Sequence, residues 1–151
     1  MTIENLNKNN VEEVSNIEKL CIETPWGINE LKSELTNKNA FYACVKKDGR
    51  IIGYGGIWLS VGTADITNIA VLPVFRRMGI GSLIVNALIS EAHGKDIFEI
   101  NLEVNENNEG AIALYEKCGF LRVGIRKRYY KNKDNAIIMQ LKKSEEWRVE
   151  S

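Results

Sequence analysis

Residues 69–85 read IAVLPVFRRMGIGSLIV, and this stretch decides the fold. The apolar run Ile69 to Leu72 predicts a strand, and the apolar run that starts at Ser82 predicts a helix. Between them, at 76–81, lies the basic turn RRMGIG with two glycines. Such a turn directs several backbone N–H groups, and the positive end of a helix dipole, toward one point. The stretch therefore predicts a strand–turn–helix unit that binds a phosphate or pyrophosphate.

Three phosphate-binding patterns can be compared with this turn. A P-loop requires G-x-x-x-x-G-K-[ST], and the chain contains no such run. A dinucleotide-binding turn requires a third glycine where this chain has Ile84. The pattern that fits is R-x-x-G-x-G, formed by Arg76, Gly79 and Gly81.

A second motif follows in the other half of the chain. LEV occupies 102–104, and N-x-x-A-I-x-L-Y-E-K-x-G-F runs from Asn108 to Phe120. Together with R-x-x-G-x-G, these runs resemble the GNAT superfamily of N-acetyltransferases, whose R-x-x-G-x-G turn binds the pyrophosphate of acetyl-coenzyme A (acetyl-CoA). Pro25-Trp26, Tyr129-Tyr130 and AIIM at 136–139 further resemble its RimI branch, the ribosomal-protein alanine N-acetyltransferases. The resemblance covers nearly the whole chain.

The order of predicted elements is β-α-α-β-β-β-α-β-α-β-β, which agrees with the GNAT fold. This order predicts an α/β (α+β) fold with a mixed sheet and helices on both faces. The resemblance implies in addition that the sheet is mostly antiparallel and contains a central parallel splayed strand pair. The length of 151 residues is typical of one domain, so we expect a single acetyltransferase domain over 1–151.

Composition excludes several other classes of protein. Lys+Arg and Asp+Glu both number 20, so no overall field favours nucleic acid or an anionic membrane. No apolar run is long enough to span a bilayer, and the N-terminus lacks a signal-peptide pattern. Cys21, Cys44 and Cys118 have no metal-like spacing, and we expect reduced, buried thiols. The chain is expected in the cytoplasm, with no metal and with an oligomeric state that the sequence does not define.

Local patterns predict the ends of several elements. Asn10 is expected to cap the first helix with Glu13 as capping-box partner, and Asn29 the second. Asp48-Gly49 between two apolar runs predicts a hairpin. We expect Gly94 and Gly119 to end the two later helices, and Asn108 to begin the last one. The buried face of the first helix is predicted to consist of four residues: Val14, Ile17, Leu20 and Cys21.

Glu103 lies on a predicted strand in which apolar and polar residues alternate. Its neighbours Leu102 and Val104 are apolar, so its side chain faces the polar side near a strand end. By this pattern alone, Glu103 is either a solvated carboxylate or a general base. The resemblance implies a base that takes a proton from the acceptor amine, directly or through water. An α-amine (pKa roughly 7.7–8.0) gives up that proton more readily than a lysine (about 10.4).

Tyr115 lies on the apolar face of the following helix, where a core tyrosine is the simplest interpretation. The resemblance implies instead a general acid that protonates the departing CoA thiolate. A phenol with a pKa of about 10 can protonate a thiolate whose conjugate acid has a pKa of about 8.5. Glu103 and Tyr115 are therefore the predicted catalytic pair.

The resemblance also implies cofactor contacts. The backbone of Ile69, Ala70 and Val71 is expected to pair with the pantetheine arm, and the N–H of Val71 to face the oxyanion. The pattern alone is equally compatible with an ordinary buried strand. The expected pyrophosphate contacts are Arg77, Met78, Gly79, Ile80, Gly81 and Ser82. Arg76 is expected near a cofactor phosphate or in solvent, and Asn108 caps its helix, contacts the cofactor, or does both.

The acceptor is less well defined than the cofactor. Trp26, Tyr129 and Tyr130 are candidate acceptor-binding residues on resemblance, with rim or core packing as the alternative. The predicted reaction is direct transfer of an acetyl group from acetyl-CoA to the N-terminal amine of a protein, such as a small-subunit ribosomal protein. The alternatives are a small amine, a polyamine or a lysine side chain as acceptor, or an acyl-CoA-binding module without turnover.

Overall fold

The computed structural model describes residues 1–22, 25–127, 129 and 133–143. These residues form one seven-stranded sheet with two helices on each face. The elements in chain order are β1 Thr2–Glu4, α1 Val11–Cys21, α2 Ile28–Glu34, β2 Ala40–Lys47, β3 Arg50–Leu59, β4 Thr63–Val71, α3 Ile80–Gly94, β5 Glu99–Asn105, α4 Glu109–Lys117, β6 Leu121–Arg126 and β7 Ala136–Lys142. The predicted order of strands and helices is confirmed.

The sheet has the strand order β1-β2-β3-β4-β5-β7-β6. Only β4 and β5 are parallel, and all other neighbours are antiparallel. The crossover between β4 and β5 passes through α3, as parallel pairing requires. The mixed, mostly antiparallel sheet with one central parallel pair is therefore as predicted.

The parallel pair separates along its length. The ladder holds only from Thr63–Glu99 to Asp65–Asn101, although β4 continues to Val71 and β5 to Asn105. Beyond Asp65, the edge of β4 that faces β5 has no partner strand in the described sheet. The predicted splay is confirmed, and it opens a gap in the middle of the sheet.

A β-bulge lies where β4 turns away from β5. The β3–β4 register runs from Ile57–Ile66 to Gly55–Ile69, so Thr67 and Asn68 together face the single residue Gly56. A Cβ at Gly56 would lie 2.4 Å from the Tyr42 ring and 2.7 Å from Thr67 Oγ1. Glycine at this position therefore allows the bulged strand to pack closely.

Each face of the sheet has its own core. On one face, α3 and α4 cover apolar residues of β2–β5 and β7, with Ile84, Leu88 and Ile100 fully buried. On the other, α1 and α2 cover a smaller cluster that includes Tyr42 and Tyr54. The second cluster ends before β5, so the polar side of β5 is left uncovered by α1 and α2.

The start of α1 differs from the capping-box prediction. Asn10 is the N-cap residue, but its side chain makes no cap hydrogen bond, and its Oδ1 accepts from Asn7 N–H instead. Glu13 accepts from the N–H of Ile51 on β3 rather than from the cap. The prediction that Asn29 caps the second helix is also wrong, because α2 begins after Gly27, whose N–H donates to Glu30. Glu13 thus makes a tertiary contact where the sequence predicted a local cap, whereas the Oδ1 of Asn10 bonds to a residue three positions before it.

The buried face of α1 is shifted from the predicted one. Leu20 is 72% exposed and Cys21 is half-buried, whereas the polar residues Ser15 and Glu18 are buried. The buried positions Val11, Val14, Ser15, Ile17 and Glu18 follow helical spacing. The predicted buried face contained only apolar residues, whereas the observed buried face of α1 includes the carboxylate of Glu18.

The remaining turn predictions can be checked from backbone angles. Asp48 and Gly49 both have positive φ, 50° and 80°, which confirms the hairpin turn. Gly119 follows α4 with φ 103°, as predicted for a helix-ending glycine. Gly94, however, is still helical, and the left-handed residue after α3 is Asp96 with φ 59°.

None of the helices in these described ranges has the length and hydropathy of a bilayer span.

Gly56→Ala tests the close packing at the bulge. Because the added methyl would meet the Tyr42 ring and Thr67, we expect a loss of about 1–3 kcal/mol in the free energy of unfolding, measured in urea. Gly94→Ala is the control, since a Cβ there has no neighbour within 4 Å. Equal stability of the two variants would show that the bulge tolerates a side chain.

Candidate active site

One cleft of about 1800 Å³ opens where β4 and β5 separate. Most residues selected from the sequence line it, namely Trp26, Ile69, Ala70, Val71, Arg76, Arg77, Gly79, Ile80, Gly81, Ser82, Glu103, Asn108, Tyr115 and Tyr129. Met78 does not line the cleft, and its side chain is exposed. The predicted contact of Met78 with the cofactor would therefore have to come from its backbone. Tyr130 lies outside the described residues. The structure thus gathers two motifs distant in sequence around one cavity.

The turn before α3 has the backbone form of an anion site. Arg77 and Gly79 have positive φ, 63° and 79°, and the helix begins at Ile80. No side chain caps the first turn of α3. Its first N–H groups therefore lack the partner that a cap would supply, and Gly79, Ile80, Gly81 and Ser82 line the cleft. This turn fits a pyrophosphate.

Gly81 also serves the packing of two helices. A Cβ at this position would lie 2.9 Å from Leu114 Cδ2 on α4. The glycine therefore allows the start of α3 to approach α4 closely. The sequence had suggested only access for an anion, and this packing role adds a second reason for the same residue.

Arg76 lies against the end of β4. Its Nε donates to the carbonyl oxygen of Val71 at 3.0 Å, and its Nη2 lies 3.7 Å from Cys21 Sγ. The carbonyl of Val71 belongs to the part of β4 that has left β5. In this structure, then, Arg76 supplies a hydrogen bond at the exposed edge of β4.

Glu103 faces the cleft from β5, as the alternation predicted. Ile100, Leu102 and Val104 are buried, and the side chain of Glu103 is 26% exposed. Arg126 Nη2 lies 2.9 Å from Glu103 Oε1 and holds the carboxylate by an ion pair. The same guanidinium lies over the Tyr129 ring, 5.1 Å from its centroid. Arg126 also lines the cleft, and it was not among the residues selected from the sequence.

Tyr115 enters the cleft from α4. The helix is fixed at its start by Asn108, whose Oδ1 accepts from the N–H of Ala111 at 3.1 Å, so the predicted cap is confirmed. Tyr115 is 7% exposed and meets the Phe120 ring edge-on at 6.0 Å. It is therefore both a packed core residue and a residue of the cleft wall.

Two stacked tryptophans form one wall of the cleft. Trp26 and Trp58 have ring centroids 5.7 Å apart, and both line the cavity. Trp58 lies opposite Asp65 in the β3–β4 ladder, at the point where the cleft opens. Trp58 was not selected from the sequence, where it was only one aromatic residue in an apolar strand.

Glu34 on α2 anchors this wall. It accepts from Trp58 Nε1 at 2.6 Å, from Asn37 Nδ2 at 3.0 Å and from the hydroxyl of Tyr42. Burial acts to raise the pKa of Glu34, but these three hydrogen bonds outweigh it and hold the pKa below its usual value. Burial and the neighbouring Glu34 carboxylate raise the pKa of Tyr42, which therefore stays a donor.

A second carboxylate, Glu18 on α1, lies behind the cleft and is 1% exposed. It accepts from the Trp26 N–H at 3.1 Å, from Asn68 Nδ2 at 3.3 Å and from the hydroxyl of Tyr54. Burial raises the pKa of Glu18, against the opposing effect of the hydrogen bonds from Trp26 and Asn68. Glu18 itself does not line the cavity.

The three cysteines are free thiols. Only Cys44 is buried as predicted, and burial raises the pKa of its thiol to about 12. Cys21 lines the cleft near Arg76, which corrects its expected burial. Burial also raises the pKa of Cys118, which does not line the cavity.

Comparison with known proteins gives a family and close relatives. The model of the Acetyltransferase (GNAT) family matches residues 11–120. A ribosomal protein bS18-alanine N-acetyltransferase of Haemophilus influenzae is 34% identical over 85% of this chain and 89% of that protein. The enzyme of the same name from Escherichia coli K12 is 30% identical over 93% of this chain and 96% of that protein.

A solved structure shows the same likeness in three dimensions. The crystal structure of the ribosomal-protein-S18-alanine N-acetyltransferase from Escherichia coli superposes with a TM-score of 0.85 at 29% identity. The match covers 93% of this chain and 92% of that chain. The likeness in fold therefore extends over nearly the whole length of both chains.

Glu34→Gln tests the electrostatics of the tryptophan wall. Because the folded state lowers the pKa of Glu34, its carboxylate adds stability above its ordinary pKa of about 4.5, and this gain disappears as the pH falls through the lowered value. We expect the stability of the wild type relative to Glu34→Gln to be constant above about pH 5.5 and to shrink below about pH 4.5. Urea unfolding at several pH values measures this difference.

Glu12→Gln is the control for that titration, because Glu12 lies exposed on α1. We expect the wild-type advantage over Glu34→Gln to fall more steeply with decreasing pH than the difference between the wild type and Glu12→Gln. A wild-type advantage over Glu34→Gln that stays constant down to pH 3 would contradict the assignment.

Proposed function

Because the chain belongs to the GNAT family of acetyl-CoA-dependent N-acetyltransferases, we propose that it acetylates the N-terminal α-amine of a protein. The proposed acceptor is the alanine N-terminus of ribosomal protein bS18, on which the relatives of 30–34% identity act by name. That shared acceptor favours a protein N-terminus over a small amine, a polyamine or a lysine side chain. Ribosomal proteins are made in the cytoplasm, and we propose that location for the enzyme too.

One observation carries the proposal: Glu103 and Tyr115 line the same cleft at the gap between β4 and β5. The turn at 76–82 forms one end of that cleft, and the Trp26–Trp58 wall forms another part of its lining. A donor site and an acceptor site that share one cavity suit direct transfer between two bound substrates.

The residues present fit acetyl-CoA, which supplies the activated acetyl thioester when it is bound. The N–H groups of Gly79, Ile80, Gly81 and Ser82 would hold the pyrophosphate, helped by Arg77. The unpaired edge of Ile69–Val71 would hold the amides of the pantetheine arm. Arg76, which contacts the Val71 carbonyl, lies where that arm would meet the strand.

Glu103 is proposed as the general base. Its carboxylate faces the cleft from β5, and the ion pair with Arg126 fixes the position of Oε1. A carboxylate there can take the proton that an α-ammonium must lose before its nitrogen attacks. The N–H of Val71 is proposed as the donor to the developing oxyanion.

Tyr115 is proposed as the general acid. Its side chain is packed against Phe120 and lines the cleft, so the core holds the ring in place. A phenol can give its proton to a departing thiolate. Cys118 is an unsuitable nucleophile, because burial raises its pKa and its side chain is not part of the cleft lining.

A peptide panel tests the proposed acceptor. The purified chain, acetyl-CoA and peptides that begin with the bS18 N-terminus are compared with the same peptides carrying a blocked N-terminus and an internal lysine, and with free polyamines. We expect acetylation of the open α-amine alone, located by mass spectrometry. Acetylation of the blocked peptides or the polyamines in preference would overturn the proposed acceptor.

Glu103→Gln tests the proposed base. Loss of the proton acceptor should lower kcat by about a hundredfold or more and alter the pH dependence of turnover, whereas the Kd of CoA, measured by calorimetry, should stay unchanged. Glu99→Gln is the matched control, because Glu99 lies on the same face of β5, pairs with Lys142 and is outside the cleft lining. Equal kcat values for the two variants would remove Glu103 from the mechanism.

A further inference from the structure

Glu18 joins three separate elements of the fold at one buried carboxylate. Its donors are the Trp26 N–H in the segment between α1 and α2, the Asn68 amide in the β4 bulge, and the Tyr54 hydroxyl in β3. With 1% of its surface exposed, Glu18 lies among the apolar residues that α1 packs against the sheet. An apolar side chain of similar size would fill this site without the desolvation cost of a carboxylate. Glu18 is thus a buried carboxylate on a helix face whose other buried residues, Val11, Val14, Ser15 and Ile17, are uncharged.

The partners of Glu18 differ in their relation to the cleft. Trp26 and Asn68 both line the cavity, whereas Tyr54 is 1% exposed and does not. Trp26 carries the indole that stacks on Trp58. Asn68 is one of the two bulge residues beside which β4 leaves β5. One carboxylate thus ties the tryptophan wall to the bulged strand.

We propose that Glu18 is a positioning residue for the acceptor: it fixes the segment that carries Trp26 against the β4 bulge and so sets the width of the acceptor part of the cleft. This proposal rests on the proposed function. It assigns Glu18 no contact with the reacting atoms, because the residue does not line the cavity. The turn at 76–82 makes none of the hydrogen bonds of Glu18, so acetyl-CoA binding is expected to be independent of it.

Glu18→Gln is the first test variant. Its one remaining oxygen can still accept from Asn68 and Tyr54, and its amide NH₂ then faces the Trp26 N–H, so that the anchor of this segment is lost. We expect the KM of the acceptor peptide to rise roughly tenfold, as for loss of one hydrogen bond to a charged group. The kcat value should change by less than about twofold, and the Kd of CoA should not change.

Two further variants separate positioning from general stability. Asn68→Ala removes the bulge partner and should also raise the acceptor KM. Tyr54→Phe removes the partner that is remote from the cleft, so it should lower the free energy of unfolding but leave the acceptor KM as in the wild type. If Glu18→Gln does not fold, the comparison of Asn68→Ala with Tyr54→Phe decides the question.

The possible results have distinct meanings. A rise in acceptor KM for Glu18→Gln and Asn68→Ala, absent in Tyr54→Phe, supports the proposal. An unchanged acceptor KM in folded Glu18→Gln, or an equal rise in all three variants, overturns it. If the wild type acetylates a different amine, the proposed acceptor fails by itself, and the three variants are then measured with that amine.

Discussion

The separation of two parallel strands is the constraint on which the structure depends. A parallel ladder satisfies the N–H and C=O groups of both strands, and here it stops after Asp65–Asn101. The edge of β4 beyond that point is left without a partner strand in the described sheet, although buried backbone groups normally have hydrogen-bond partners. A strand held open in this way can be completed by an extended ligand with amides of its own. The pantetheine arm of acetyl-CoA is such a ligand.

Keeping the strands apart requires support from the rest of the fold. The bulge at Thr67–Asn68 bends β4, and it needs a glycine at position 56 because any side chain there would meet Tyr42. At the far end of β4, Arg76 donates to the Val71 carbonyl, and Asn68 in the bulge donates to Glu18 on α1. The same departure of β4 gives room for Glu103 on β5 and Tyr115 on α4 to line one cavity. The proposed donor binding and the proposed proton transfers thus depend on one distortion of the sheet.

Several features of this structure could be predicted because they depend on local sequence patterns. Alternation placed Glu103 on the polar face of its strand, Asn108 was recognised as a cap, and Asp48-Gly49 gave the hairpin. The turn before α3 could be predicted because glycine spacing before a helix has a direct backbone meaning, and its contact with the cofactor stays a prediction. Each of these features depends only on residues that are neighbours in sequence. The separation of β4 and β5, in contrast, was predicted from the resemblance and not from any pattern within the strand.

The errors occurred where a distant partner decides the outcome. Glu18 was not recognised because its three donors come from positions 26, 54 and 68, and a glutamate on a helix is usually exposed. Glu13, predicted as a capping-box partner, accepts instead from the N–H of Ile51, and the ion pair of Arg126 with Glu103 was not predicted. Trp58 is held in the cleft wall by stacking on Trp26 and by a hydrogen bond to Glu34, and both partners are distant in sequence. Tertiary packing determines these contacts between distant residues, and packing cannot be read from a single sequence.

Amide hydrogen exchange with and without CoA tests the open edge of β4 most directly. If the cofactor completes β4 and occupies the turn before α3, peptides that cover 66–72 and 76–83 should exchange markedly more slowly in its presence. Peptides from the β1–β2 pair, at one edge of the sheet, should be unchanged and serve as the internal reference. Saturating CoA that leaves exchange at 66–72 unaltered would contradict the account.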